Sequence, residues 1–76
     1  MNRKANGASI GTIRKALGIP QVALAGRLGI DKSYMSQIEH GARQPAADLL
    51  SRIAETLGVP LDAISYPVPE AAGAAS

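Results

Sequence analysis

The sequence predicts an all-α domain of short helices, and two observations carry that prediction. Apolar residues recur at the spacing of a helix face: Ile10, Ile13 and Leu17; Leu24, Ala25 and Leu28; Tyr34, Met35 and Ile38; Leu50, Ile53, Ala54 and Leu57. Each set falls on one side at about 100° per residue. Between the stripes one local pattern occurs three times, as Leu17-Gly18-Ile19-Pro20, Leu28-Gly29-Ile30-Asp31 and Leu57-Gly58-Val59-Pro60. Each is a helix stop followed at once by a helix start. Glycine turns left-handed past the last turn, the branched residue folds back onto the finished helix, and Pro or Asp suits the next first turn. At this spacing the recurrence is capping chemistry, not the signature of a repeat protein.

A chain of 76 residues allows one domain with a modest core, so folding has to come from economical helix packing. Cysteine is absent, which excludes disulfide staples and thiolate metal sites and suits a reducing cytoplasm. Phe and Trp are absent too, leaving Leu, Ile, Val, Ala and Met to fill the interior. No apolar run follows the basic residues at the N-terminus, which argues against a secretory signal, and no segment approaches membrane-spanning length. A cytoplasmic protein is therefore expected.

The net charge of +2 hides a polarity: residues 1–45 hold seven Lys or Arg against two acids, and residues 46–76 hold one against four. A basic half attracts polyanions by releasing their counterions, and an acidic half would face away. Chance scatter of charge in a short chain is the plainer alternative.

Taken in order, residues 1–8 lack periodicity and are expected to form a flexible arm, with Arg3 and Lys4 free to touch phosphate. Ser9 can cap a first helix that keeps Thr12 and Lys15 wet and ends at Gly18. The second helix opens at Gln21 and ends at Gly29, and the Asp31 carboxylate can accept from the free N–H groups of the third. Gly41-Ala42-Arg43-Gln44-Pro45 is a loop, whose proline blocks backward extension of a fourth helix over residues 46–57. Asp48 suits the positive end of that helix. Leu49, beside its apolar stripe, either finishes the core or contributes to a subunit contact. Residues 61–65 give a last short turn of helix, and the Pro- and Ala-containing residues 66–76 are expected to be mostly disordered.

The third helix has two unlike faces. Opposite Tyr34, Met35 and Ile38 lie Lys32, Ser33, Ser36 and Gln37: long donors and short hydroxyls without a carboxylate. A solvated surface is the bland account of a lone amphipathic helix, but here a short helix and a tight glycine turn precede it. The composition is that of a helix lying in the DNA major groove, where Lys and Gln meet base edges, Ser allows close approach, and a carboxylate would be repelled by phosphate. Arg43 in the next loop either holds a phosphate or is a solvated loop charge. His40 is the only histidine, so no metal set can be completed around it, and no glycine-rich phosphate loop precedes a helix. Neither an enzyme nor a cofactor is expected.

The sequence resembles the lambda-repressor-like helix-turn-helix family, the Cro or xenobiotic-response-element type. The resemblance rests on Ile13-Arg14, Gln21, Leu24-Ala25, Gly29, Met35-Ser36, Ile38-Glu39, Gly41, Arg43, Pro45, Leu50, Ile53-Ala54 and Leu57-Gly58-Val59, and runs from about Ile10 to Ile64. It implies a compact five-helix domain spanning residues 9–65 that binds double-stranded DNA, usually as a homodimer on a two-fold related operator. It further implies that Gln21 touches a backbone phosphate, that residues 32–40 are the recognition helix, and that Arg14 pairs with Glu39. Pro20, Pro60 and Ala46 stand where the family often has a capping Ser or Thr, each lost cap costing about 1 kcal/mol. The leading functional expectation is a sequence-specific transcriptional regulator, a repressor, with Lys32, Ser33, Ser36 and Gln37 at bases and Gln21, Arg43, Arg3 and Lys4 at phosphates. The alternative is a protein-interaction module on the same fold, such as an antitoxin or transcription cofactor, engaging a partner through the C-terminal tail.

Overall fold

A computed structural model describes residues 3–68. In order they form strand β1 (Arg3–Ala5), helices α1 (Gly7–Ala16), α2 (Gln21–Leu28), α3 (Lys32–Glu39) and α4 (Ala47–Leu57), a 3-10 turn (Leu61–Ile64) and strand β2 (Ser65–Pro67). All three stop-start sequences close their helices in the same way. The Ile19 N–H donates to the Arg14 carbonyl at 3.1 Å and the Gly18 N–H to that of Lys15 at 3.0 Å, and equivalent pairs join Ile30 to Ala25 with Gly29 to Gly26, and Val59 to Ala54 with Gly58 to Glu55. These are the two bonds of the Schellman end, which needs a left-handed residue; Gly29, at φ 71°, supplies it between α2 and α3. A fourth such end closes α3, with Ala42 bonded to Gln37 and Gly41 to Ile38. Ala42 stands there in place of the branched residue, so the sequence pattern did not mark it.

The helix starts differ more from expectation. Asn6, not Ser9, caps α1: its Oδ1 accepts from the Ser9 N–H at 3.1 Å, and the helix begins at Gly7. Pro20, Asp31 and Ala46 precede α2, α3 and α4 without a side-chain cap bond, so Asp31 opens α3 by position and not by its carboxylate.

The fold is mostly helical but not all-α. Four α-helices replace the expected five, the fifth being the 3-10 turn, and β1 pairs antiparallel with β2, placing Arg3 opposite Pro67, Lys4 opposite Tyr66 and Ala5 opposite Ser65. Residues 3–8, expected in a flexible arm, thus form a strand, a cap and a first helical turn. Specific bonds hold them. Asn6 N–H donates to the Ile64 carbonyl at 2.8 Å and Ala5 N–H to Gln44 Oε1 at 3.0 Å. Arg3 Nε donates to Ser65 Oγ at 2.8 Å, which donates onward to the Leu61 carbonyl, and the Arg3 guanidinium also pairs with Asp62. Three-residue strands are too short to show a period of two, so this sheet had no sequence signature. Tyr66 and Pro67, assigned to the tail, belong to β2, while the tail from residue 69 onward lies outside the described residues.

Ile10, Leu24, Met35, Ile38, Ile53 and Ile64 are the fully buried centre of the core, with Ala25, Leu28, Leu50, Ala54 and Leu57 around them. Leu17 departs from its expected inward place and is 52% exposed. Ile19, folding back past Gly18, packs against the core instead. The start of α1 comes close to the end of α3. A Cβ added at Gly7 would lie 2.7 Å from the Glu39 carbonyl oxygen and closer still to that of Ile38, and one at Gly11 would lie 3.1 Å from Glu39 Oε1. The two glycines are four apart and share the α1 face that meets α3.

This packing predicts opposite outcomes for two helical glycines. Gly7→Ala meets backbone that cannot give way and should lower stability by about 1–3 kcal/mol despite alanine's higher helix propensity. Gly26→Ala, where an added Cβ meets nothing within 4 Å, should raise it by about 0.5–1 kcal/mol. Urea unfolding of both variants is the check, and equal shifts would contradict the close approach.

Candidate nucleic-acid interface

Tight capping at Gly29 brings α3 up directly after α2, so the first residue of α2 and the polar side of α3 line one surface. Gln21, Lys32, Ser33, Ser36 and Gln37 border a shallow hollow of about 360 Å³. These are five of the residues expected at DNA, and among the described residues no carboxylate borders the hollow. Lys32, Ser33 and Gln37 are exposed and Ser36 half-buried, while Met35 and Ile38 on the other side of the same helix are in the core.

Beneath this surface lies the expected ion pair. Arg14 Nε donates to Glu39 Oε2 at 2.7 Å and Arg14 Nη2 to Glu39 Oε1 at 3.0 Å, a two-pronged contact between side chains only 9% and 8% exposed. The remaining guanidinium nitrogen, Nη1, donates to the Ile19 carbonyl at 2.9 Å, tying the α1–α2 corner to the pair. The hydrogen bond to Glu39 raises the Arg14 pKa above its ordinary value, with burial opposing, so the guanidinium remains charged. Glu39, the one acid of α3, is thereby neutralised close to where a polyanion would sit.

Gln21 makes a second contact besides bordering the hollow. Its Nε2 donates to Glu39 Oε1 at 3.2 Å, so it completes the buried network as well as bordering the hollow, and one amide hydrogen is left for another acceptor. Arg43 lies outside the hollow: its guanidinium carbon sits 5.5 Å from the Tyr34 ring centre, and its backbone N–H donates to the Gln37 carbonyl. Lys4 is exposed on β1. Arg3 lies on β1 with its Nε bonded to Ser65 and its Nη2 to Asp62, so it is anchored and not loose on an arm. His40 is exposed, its Nδ1 2.8 Å from the Ser36 carbonyl oxygen, one turn back along the chain. Among the described residues no group of three or more His, Cys, Asp or Glu could hold a metal ion. Gly7 and Gly11 are the residues that sequence reasoning missed here: they let α1 approach Glu39, and their spacing of four was the available signal.

Two short helices around a glycine turn, with a polar outer face and a buried Arg-Glu clamp beneath it, make a helix-turn-helix unit. The chain belongs to the helix-turn-helix family, whose model matches residues 10–64. A helix-turn-helix-type transcriptional regulator of Mycobacterium tuberculosis, itself uncharacterised, is 42% identical over 53 residues, covering 70% of this chain. The chain spans only 38% of that relative's length. Among solved structures, the DNA-binding domain of the P22 c2 repressor is 31% identical with a TM-score of 0.72, over 82% of each chain. The biofilm regulator SinR, solved in complex with DNA, is 32% identical with a TM-score of 0.68, over 74% of this chain and 90% of that one.

The clamp predicts an asymmetry between single and double substitutions. Arg14→Leu strands a buried carboxylate and should cost roughly 3–5 kcal/mol, whereas Arg14→Leu with Glu39→Leu should recover much of that loss. Denaturant unfolding measures both, and a loss below about 1 kcal/mol for the single variant would mean that the pair behaves as a surface contact.

Proposed function

We propose that this chain is a transcriptional regulator that binds double-stranded DNA sequence-specifically, as a homodimer on a two-fold related operator, and acts as a repressor. The observation that carries this reading is the hollow formed by Gln21, Lys32, Ser33, Ser36 and Gln37 without a bordering carboxylate. Lys32 donates to guanine and Gln37 pairs two-pronged with adenine, while Ser33 and Ser36 allow close approach to bases and neighbouring phosphates. Gln21, through its second amide hydrogen, and Arg43 and Lys4 hold phosphates and set the register. The naming of one relative as a regulator and of one structural neighbour as a repressor supports the same function. Such a protein works in the cytoplasm on the nucleoid, and no described helix is long and apolar enough to cross a membrane. Exposed Tyr66, with Leu49 and Leu61 half-buried at the core's edge, offers apolar surface for the subunit contact.

Selection from random duplex DNA at near-physiological salt tests the proposal. Enrichment of an inverted repeat with half-sites about one helical turn or a multiple apart is expected, and enrichment of nothing would overturn it. On the selected site Gln37→Ala should cost roughly 1–3 kcal/mol and relax specificity, whereas Arg43→Ala should weaken operator and random DNA alike and flatten the salt dependence. Equal losses on both DNAs for Gln37→Ala would remove it from base reading.

A further inference from the structure

We infer that Tyr34 is a positioning residue for phosphate binding: its ring holds the Arg43 guanidinium in place before DNA arrives. The inference rests on the DNA-binding reading above. An arginine on a flexible loop loses much rotamer freedom when it meets a phosphate, and that loss weakens the contact. Here the loop is fixed at several points. The Ala42 and Arg43 N–H groups donate to the Gln37 carbonyl at 2.8 and 3.3 Å, Gln44 Oε1 accepts from Ala5 at 3.0 Å, and Pro45 is buried.

The remaining freedom belongs to the Arg43 side chain, and Tyr34 limits it. Tyr34 sits in the first turn of α3, half-buried, with part of its ring against the core. The Arg43 guanidinium carbon lies over that ring, 5.5 Å from its centre, within the range of a cation–π contact. Such a contact is made through the face of the ring and leaves the edge donors of the guanidinium available for phosphate oxygens. Tyr34 itself belongs to the recognition helix, so the contact also fixes the guanidinium relative to Lys32, Ser33, Ser36 and Gln37. The sequence stripe accounts for Tyr34 as a core residue, but a core role alone leaves its covered outer face without a purpose.

A double-mutant cycle on the full chain tests this, read as duplex affinity on the selected operator and on a random duplex, each across a salt series. Tyr34→Phe keeps the ring and should leave both affinities within about twofold. Tyr34→Leu should weaken both by about two- to fivefold, the scale of an exposed cation–π contact. In an Arg43→Ala background, Tyr34→Leu should change neither affinity by more than the error. Thermal unfolding of each variant separates a loss of fold from a loss of contact. Equal weakening by Tyr34→Leu with and without Arg43 overturns the inference while leaving the DNA reading intact, as does failure of Tyr34→Phe to retain binding. A wild-type chain that binds no duplex, with Arg43→Ala silent, overturns both.

Discussion

The contact between α1 and the end of α3 is the constraint on which the rest depends. A helix of eight residues is too short to hold itself in place, and α3 lacks a side-chain cap at its start. Its far end is gripped instead: Glu39 is clamped by Arg14, and Gly7 leaves no room for a side chain against the backbone of Ile38 and Glu39. The clamp works because the two glycines let α1 come close enough for the guanidinium to reach the carboxylate with both prongs. A buried ion pair is weak evidence for stability in itself, since desolvation offsets much of the attraction. Its value here is positional. It fixes the orientation of the helix and removes the one charge of α3 that would oppose a polyanion.

Gln21 links that clamp to the surface. By donating to Glu39 and bordering the hollow, it joins the start of α2 to the end of α3, and Arg14 extends the link to the corner at Ile19. One network therefore sets the relative placement of α1, α2 and α3. The Tyr34–Arg43 contact and the β1–β2 clip do the same for the loop that follows α3, through Gln44 and Ala5.

Much of this was legible in the sequence where a physical rule is local and repeated. The pattern of Leu, Gly and a β-branched residue locates three helix ends, and helical periodicity separates Met35 and Ile38 from Lys32, Ser33 and Gln37. The Arg14–Glu39 pair came from family resemblance, as nothing in composition or spacing couples residues 25 apart in the chain. What was missed is long-range or made of backbone. The strands are three residues each and pair across the whole domain, so no window of sequence contains both. Asn6 displaced Ser9 as cap because β1 delivers the chain to α1 earlier than periodicity suggested. The Arg3–Asp62 pair leaves no local trace, because the two residues lie at opposite ends of the described chain. Gly7 and Gly11 carry no side chain, and their importance lies in what approaches them.

The surface fixed by this network is the one proposed to meet DNA. Amide and side-chain NMR shifts of the protein, followed while operator duplex is added, test it most directly. The largest changes should fall on Gln21, Lys32, Ser33, Ser36, Gln37 and Arg43, with Arg14 and Glu39 still paired in the complex. Changes concentrated on α4 and β2, with that surface unmoved, would contradict the account.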